Sequence, residues 1–182
     1  MGIDQGAGID PALIKAVHDK LAANPDGVIE SIARELGVST QLVLQQLPAS
    51  ECRIVGHDKF ETVWNDVASW GEILFIIHTV DLVLECAGAL PSGSYGRGYY
   101  NFHGDSPVSG HLKADACVSI AFVDRLFHGR RACSIQFFNS AGEAVFKIFV
   151  RRNAKRDLLS AQVEKFERLR SQLIGAPLED SA

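Results

Sequence analysis

The segment ACSIQFFNSAGEAVFKIFV, residues 132–150, decides the fold class. It contains two runs that are rich in aromatic and β-branched residues, 132–138 and 143–150, and Asn139-Ser140-Ala141-Gly142 separates them. A short link of Asn, Ser and Gly residues is typical of a β-hairpin, and hairpin strands are antiparallel. The segment therefore predicts an antiparallel sheet, not an alternating βαβ arrangement.

Patterns on both sides of this hairpin extend the sheet and add helices. Glycine-rich residues 88–98 are predicted to form a loop, and an amphipathic helix is predicted at 57–69 and another at 155–173. Further strands are predicted at residues 52–56, 72–79, 80–86, 99–103, 109–115 and 117–123. Strands followed by a closing helix indicate an α+β fold: an antiparallel β-sheet with an N-terminal helical segment and a C-terminal helix.

The N-terminal part of the chain is predicted to be helical. Asp10-Pro11 begins a first helix, Gly37 ends a second, and Ser39 caps a third that Pro48 closes. We predict an N-terminal helical segment at 1–48 that packs on the main domain, an α+β domain at 49–174 that carries the binding site, and a flexible tail at 175–182. Together they are expected to form one compact unit.

Charge and composition narrow the class of partner. The net charge is −4, and residues 10–47 contain three basic against five acidic residues. The second and third helices, joined by Gly37-Val38-Ser39, resemble a helix-turn-helix, but a negative surface repels phosphate, so no nucleic-acid partner is expected. No apolar run approaches the roughly 20 residues of a membrane span, and the N-terminus lacks an apolar core, so no membrane association and a cytoplasmic location are expected.

Histidines and tyrosines are the candidate chemical groups. No GxSxG, P-loop or HExxH motif occurs, and the four cysteines form no CxxC pair. Imidazole and phenolate both hold haem iron, and a porphyrin also needs apolar walls and cations for its propionates. The candidates are Tyr95, Tyr99, Tyr100, His78, His103 and His111 as ligands, Phe102, Leu112 and Ile120 as walls, and Arg97, Lys113 and Lys147 as cations. Taken singly, a histidine or tyrosine on a strand more often has a structural role than a ligand-binding one.

Ordered motifs favour the haem interpretation. They include Asn24-Pro25-Asp26-Gly27, Trp70-Gly71, His78-Thr79-Val80-Asp81, Pro91-Ser92-Gly93, Gly98-Tyr99-Tyr100-Asn101, Ser109-Gly110-His111-Leu112-Lys113, Phe137-Phe138-Asn139 and Phe146-Lys147-Ile148-Phe149-Val150. In order and spacing, from about residue 25 to 168, the chain resembles the HutX/ChuX haem-utilisation carrier family. One departure is Arg151-Arg152-Asn153, where the family often has Gly-Arg-Asp.

The resemblance implies a function, a fold relationship and a set of site residues. It implies a cytoplasmic carrier that binds haem b after uptake and passes it to a haem-degrading or haem-storage protein. It also implies a homodimer whose subunit is similar to one half of the two-repeat haem proteins of the HemS/ChuS type. Tyr99, His111 and His78 match family ligand positions and are the candidate axial ligands, with Arg97 and Lys113 as the cofactor-binding cations. Haem degradation is the alternative function, and a helix-turn-helix-like interaction module is the second.

Overall fold

The protein is described by a computed structural model that covers residues 9–174, so the predicted tail at 175–182 lies outside the described residues. Its helices are α1 (Pro11–Ala23), α2 (Ile29–Leu36), α3 (Thr40–Gln45), α4 (Phe60–Ala68) and α5 (Ser160–Ile174). Its strands are β1 (Cys52–Gly56), β2 (Glu72–His78), β3 (Val83–Ala89), β4 (Ser92–Gly96), β5 (Tyr99–His103), β6 (His111–Lys113), β7 (Ser119–Phe127), β8 (Arg130–Phe138) and β9 (Ala144–Phe149).

The strands form two antiparallel sheets, which confirms the predicted α+β class. The main sheet has six strands in the order β1-β7-β8-β9-β2-β3, and the small sheet has the order β4-β5-β6. The predicted hairpin is present as β8 and β9, paired antiparallel with Ile135 opposite Ile148. No helix within residues 9–174 is both long and apolar enough to cross a membrane.

The prediction of one loop at 88–98 was wrong, because β4 lies inside it. Strand β4 pairs with β5 around Arg97 and Gly98, whose φ angles are +56° and +80°. Two consecutive left-handed residues allow a two-residue hairpin whose twist matches the strands. The β4 sequence, Ser-Gly-Ser-Tyr-Gly, contains none of the apolar alternation that identifies a strand.

The predicted start of the C-terminal helix at residue 155 was also wrong, and α5 begins at Ser160. The Asn153 side chain accepts hydrogen bonds from the backbone N–H groups of Lys155 and Asp157, at 2.8 and 3.0 Å. These bonds hold a turn in which Arg156 has φ +69°. An asparagine that satisfies nearby backbone donors competes with helix formation, so the helix begins after this turn.

The main sheet is covered on both faces. Strand β7 shows this best, because Ile120 and Phe122 contact one apolar cluster whereas Ala121 and Val123 contact another. Alternate side chains of a strand point to opposite faces, so the two clusters lie on opposite sides of the sheet. Helices α1–α3 cover one face, and α4, α5 and the small sheet cover the other.

A hydrogen-bonded clasp holds the N-terminal helices on the sheet. The guanidinium of Arg125, on β7, is buried and donates to the backbone oxygens of Gly27, at 2.8 Å, and of Pro25. Asp26 accepts from the backbone of the β7–β8 turn at Gly129. The motif at residues 24–27 is therefore the α1–α2 turn that docks on the sheet, although the division of the chain at residue 48 stays a prediction.

Replacing Arg125 by Met is expected to lower the free energy of unfolding by about 2 kcal/mol, because two backbone oxygens lose a charged donor. The measurement is urea denaturation followed by circular dichroism. Arg130→Met, at an exposed position on the neighbouring strand, is the control and should change the free energy by less than about 0.5 kcal/mol. Equal effects of the two variants would contradict the role of the clasp.

Candidate ligand-binding site on the small sheet

The small sheet places three of the predicted site residues on one exposed face. Tyr99 on β5 lies directly opposite Lys113 on β6, and His111 lies opposite Asn101. Directly paired residues share a face, and so do residues two apart on a strand. Tyr99, His111 and Lys113 therefore point to the same side, and all three are exposed.

The rings of Tyr99 and His111 are in contact on this face. Their centroids are 4.7 Å apart, and the planes meet edge to face at 81°. The Tyr99 side chain retains an exposed fraction of 36%, so its hydroxyl and the imidazole are available to an incoming ligand. Arg97 lies exposed in the β4–β5 turn, two residues before Tyr99, and Lys113 lies directly opposite Tyr99 on β6.

Tyr100 points the opposite way, as the strand alternation predicts. Its side chain is fully buried, and its hydroxyl has no hydrogen-bond partner among the described residues. Burial, followed by the nearby charge of Glu61, raises the pKa of Tyr100 to about 12. Because the Tyr100 side chain is enclosed in the core, it cannot reach a ligand on the exposed face, so Tyr99 is the candidate iron ligand of the adjacent pair.

His78 lies on the other side of the main sheet. It ends β2, and its Nδ1 is 3.5 Å from the Oε1 atom of Glu30 on α2. The Glu30 carboxylate also contacts the buried ammonium of Lys147, which lies opposite Ile76 on the face that α1–α3 cover. Within one chain the structure therefore brings Tyr99 and His111 together, but it does not bring His78 to them.

The predictions that Phe102, Leu112 and Ile120 form porphyrin walls and that Lys147 is a third cation were wrong for the Tyr99–His111 face, because the structure places these side chains elsewhere. Phe102 stacks on Trp64 at 4.7 Å, Leu112 packs against the core, and Ile120 is fully buried. They support the small sheet from behind instead of facing a ligand. Lys147 is buried on the opposite side of the main sheet and is paired with Glu30, so it does not serve the Tyr99–His111 face.

Two supporting residues were missed. The Asn101 amide donates to the backbone oxygen of Gly96 at 3.1 Å, which closes the β4–β5 turn beside Tyr99. Its presence in the Gly-Tyr-Tyr-Asn motif was the available signal. Glu30 had no such signal, because its contacts with Lys147 and His78 join residues that are distant in sequence.

Three of the four cysteines lie in the core. Cys52, Cys117 and Cys133 are buried, and burial raises the pKa of each thiol to about 12. Because the thiolate is the form that binds iron, these three groups are not suited to be axial ligands.

The fold and the site define a small α+β protein that presents a contacting tyrosine and histidine on an open sheet surface instead of in an enclosed pocket. The chain belongs to the haem utilisation ChuX/HutX family, whose model matches residues 53–169. The matched region spans the main sheet and the small sheet and most of α5, and it begins after the N-terminal helices.

Individual relatives extend the match over most of the chain. The chain is 30% identical to the intracellular haem transport protein HutX of Vibrio cholerae, over 88% of this chain and 84% of the relative. It is 43% identical to a protein of Agrobacterium tumefaciens of known structure, with a TM-score of 0.83 over 95% of this chain and 99% of the other. It is 40% identical to the haem-binding protein ChuX, with a TM-score of 0.80 over 87% and 99% of the two chains.

The predicted likeness to half of a two-repeat protein is confirmed at the level of the fold. The haem oxygenase ChuS of Escherichia coli matches 96% of this chain with 53% of its own length, at a TM-score of 0.68. The identity is 11%, so this likeness shows the fold alone. Two of the relatives of 30% identity or more are named as a haem transport protein and a haem-binding protein, in agreement with the prediction that this chain is not an enzyme.

Proposed function

We propose that this protein is a reversible carrier of haem, which it binds through the Tyr99–His111 face of the small sheet. The observation that carries the proposal is the contact of an exposed phenol ring with an exposed imidazole ring, whose centroids are 4.7 Å apart. Phenolate and imidazole both bind haem iron, and Arg97 and Lys113 can pair with propionates. Membership of a family whose named relatives transport or bind haem supports the same ligand.

The geometry of the ring pair favours a single axial bond. A porphyrin between two aromatic rings needs about 7 Å, which is twice the contact distance of carbon atoms. The rings of Tyr99 and His111 touch, so they leave no slot for a porphyrin between them. One ring binds the iron while the other lies beside it, and one bond on an open surface lets haem leave for a second protein.

The bound form is proposed to be haem b, and the receiving protein to be a haem-degrading or haem-storage protein. The sequence contains no Cys-x-x-Cys-His motif, the attachment signal of covalently bound haem c. We also propose a cytoplasmic location, which is supported by the name of the Vibrio cholerae relative, an intracellular haem transport protein. Transfer of haem from one protein to another requires a haem that is not covalently attached to either, and haem b meets this requirement.

The chain is proposed to act as a homodimer. Strand β3 lies at an edge of the main sheet, where its backbone groups are available to pair with another chain. Four apolar side chains on β3 and the preceding turn are about half exposed or more, namely Val80, Leu82, Val83 and Leu84. Such a patch at a sheet edge favours association with a second copy.

Charged residues on this edge are expected to convert the dimer into a monomer. Leu82→Glu combined with Leu84→Glu places like charges where two copies would meet, and repulsion together with lost apolar burial opposes pairing. The measurement is sedimentation equilibrium, with the double substitution Leu126→Glu and Leu159→Glu at other exposed positions as the control. An unchanged mass for the β3 variant would contradict association through β3.

A titration of the whole protein with ferric haem tests the carrier function. We expect a saturable shift of the Soret band with one strongly bound haem per chain. Adding a reductant under air then separates carrier from enzyme: a carrier changes only the oxidation state, whereas a haem-degrading enzyme loses the Soret band and releases iron. Absence of a saturable shift would overturn the proposal.

A further inference from the structure

A cavity rich in arginine lies where α5 begins, beside the first residues of β8, and has a volume of about 550 Å³. Its lining contains the four arginines Arg130, Arg131, Arg152 and Arg156. Phe137, six residues after Arg131 on β8, packs on Phe60 beneath the small sheet. Since a strand advances about 3.3 Å per residue, roughly 20 Å of β8 separates the cavity from the support of the small sheet. This arginine cavity is therefore distinct from the Tyr99–His111 face.

One of the four arginines is neutralised by acidic neighbours. The Arg131 guanidinium donates to both carboxylate oxygens of Asp124, at 2.8 and 2.7 Å, and to Glu167 at 2.7 Å. The other three guanidinium groups form no ion pair within 4.0 Å among residues 9–174, and neither do the lining carboxylates of Asp157 and Glu164. Three unpaired cations and two unpaired carboxylates therefore line the same cavity.

Arg152 is held in place by groups that do not neutralise it. Its guanidinium is partly buried and donates to the backbone oxygens of Arg156, at 2.9 Å, and of Arg131, at 2.6 Å. Neutral carbonyl oxygens fix the orientation of a guanidinium but leave its charge in place. The group has five N–H donors, so these two bonds leave three for another acceptor. A fixed, partly buried cation without a counter-ion is preorganised to bind an anion.

The turn that follows β9 adds positive charge beside the cavity. Residues 151–156, Arg-Arg-Asn-Ala-Lys-Arg, contain four basic and no acidic residues, although the net charge of the chain is −4. The turn begins with the segment that departs from the family pattern, and its Asn153 holds Arg156 at a φ angle of +69°. Residues other than glycine adopt this backbone conformation at a cost in energy, and such residues cluster at binding sites. Charge and backbone together favour an anionic ligand here.

We propose that the arginine cavity binds a small molecule that carries at least two oxyanion groups, carboxylate or phosphate, through Arg130, Arg152 and Arg156. The planar guanidinium group pairs with either oxyanion through two parallel hydrogen bonds. Three cations from separate positions engage more than one oxyanion, and a ligand of two or more charges also outweighs the repulsion from Asp157 and Glu164. Binding at this cavity requires no haem, so it stands or falls separately from the carrier function.

The haem-free protein is titrated with citrate in one experiment and with pyrophosphate in another, at constant ionic strength. Nitrogen-15 NMR of the arginine Nε–H groups reports which side chains meet the ligand. We expect saturable shifts for Arg130, Arg152 and Arg156 with at least one of the two probes, and the tighter probe identifies carboxylate or phosphate as the preferred group. Arg53, exposed on β1 and outside the cavity lining, should not shift. Saturation with neither probe would overturn the proposal.

A single added charge in the turn separates anion binding from folding. Asn153→Asp keeps an oxygen that accepts from the backbone of Lys155 and Asp157, and the new charge a few Å from the cations should weaken binding of the tighter probe roughly fivefold. Asn139→Asp is the matched control, because Asn139 accepts from two backbone N–H groups in the β8–β9 turn at 2.9 and 3.0 Å. It should leave the affinity unchanged. Equal losses in the two variants would show an effect of net charge alone and overturn the site.

Removal of single guanidinium groups completes the test. Arg156→Asn retains a residue that tolerates the left-handed backbone, and Arg130→Met changes an exposed position. Each should weaken binding about tenfold or more, the usual effect of losing a hydrogen bond to a charged group. Arg53→Met is the matched control and should have no effect, and all three variants should keep the wild-type affinity for ferric haem. Equal losses for Arg130→Met and Arg53→Met would contradict a localised site.

Discussion

A chain with Tyr99→Phe and His111→Ala is expected to lose more than about 100-fold in affinity for ferric haem. Together the two substitutions remove the contacting phenol and imidazole that are the proposed iron ligands. Loss of a residue that only hydrogen-bonds to a metal ligand already lowers affinity 10–100-fold, so loss of the ligands themselves should lower it further. The two rings touch at 4.7 Å and compete for one axial position, so the single variants should lose less than the double variant. The measurement is a Soret titration of each variant at equal haem concentration.

Matched controls exist on the same small sheet. Tyr95→Phe removes a hydroxyl from the neighbouring strand, where the ring packs edge to face on Tyr100 at 4.9 Å. His103→Ala removes an imidazole whose Nε2 is bonded to Ser94 at 2.8 Å. Neither side chain belongs to the Tyr99–His111 contact, so both variants should keep the wild-type affinity and Soret position. An unchanged Soret band in the double variant would place the strong haem site elsewhere.

The sequence predicts the elements of this fold better than it predicts their contacts. Strand β5 and the β8–β9 hairpin could be predicted because they show alternation and local turn signals. Strand β4 could not, because Ser, Gly and Tyr residues form it and only its pairing with β5 reveals it. The start of α5 was missed because the Asn153 side chain forms a local turn within an amphipathic pattern that continues beyond it.

The same distinction applies to the candidate site. That Tyr99 and Tyr100 face opposite ways follows from strand geometry alone. The packing of Tyr100 against Phe60 and Trp64 decides which of the two tyrosines points into the core. Phe60 and Trp64 lie about 40 residues earlier in the chain, on α4, so this contact is not visible in the local sequence. His78, Tyr99 and His111 were grouped because all three match family ligand positions, and that match does not say which of them lie together within one chain. Assigning each strand to one of two sheets, which requires the pairing pattern, separates them.

Trp64 supports the small sheet on the side away from Tyr99, and we expect its replacement to have the largest effect on stability. This residue is fully buried on α4, stacks on Phe102 at 4.7 Å and meets Tyr100 edge to face at 5.6 Å. Its indole N–H donates to the backbone oxygen of Pro91 at 2.8 Å, directly before β4. One side chain therefore ties α4 to strand β5 of the small sheet and to the segment that leads into β4.

Trp64→Ala is expected to lower the free energy of unfolding by about 3–5 kcal/mol, the usual cost of removing a buried aromatic ring. Trp64→Phe keeps a ring against Phe102 but loses the hydrogen bond to Pro91, so it should cost about 1–3 kcal/mol. Phe127→Ala, at a 41% exposed position, is the control and should cost far less. Urea denaturation measures all three.

Because Trp64 supports the strand that carries Tyr99, the folded fraction of Trp64→Ala should also bind haem more weakly than the wild type. Wild-type haem affinity in that fraction would show that the Tyr99–His111 face keeps its geometry without the support of α4.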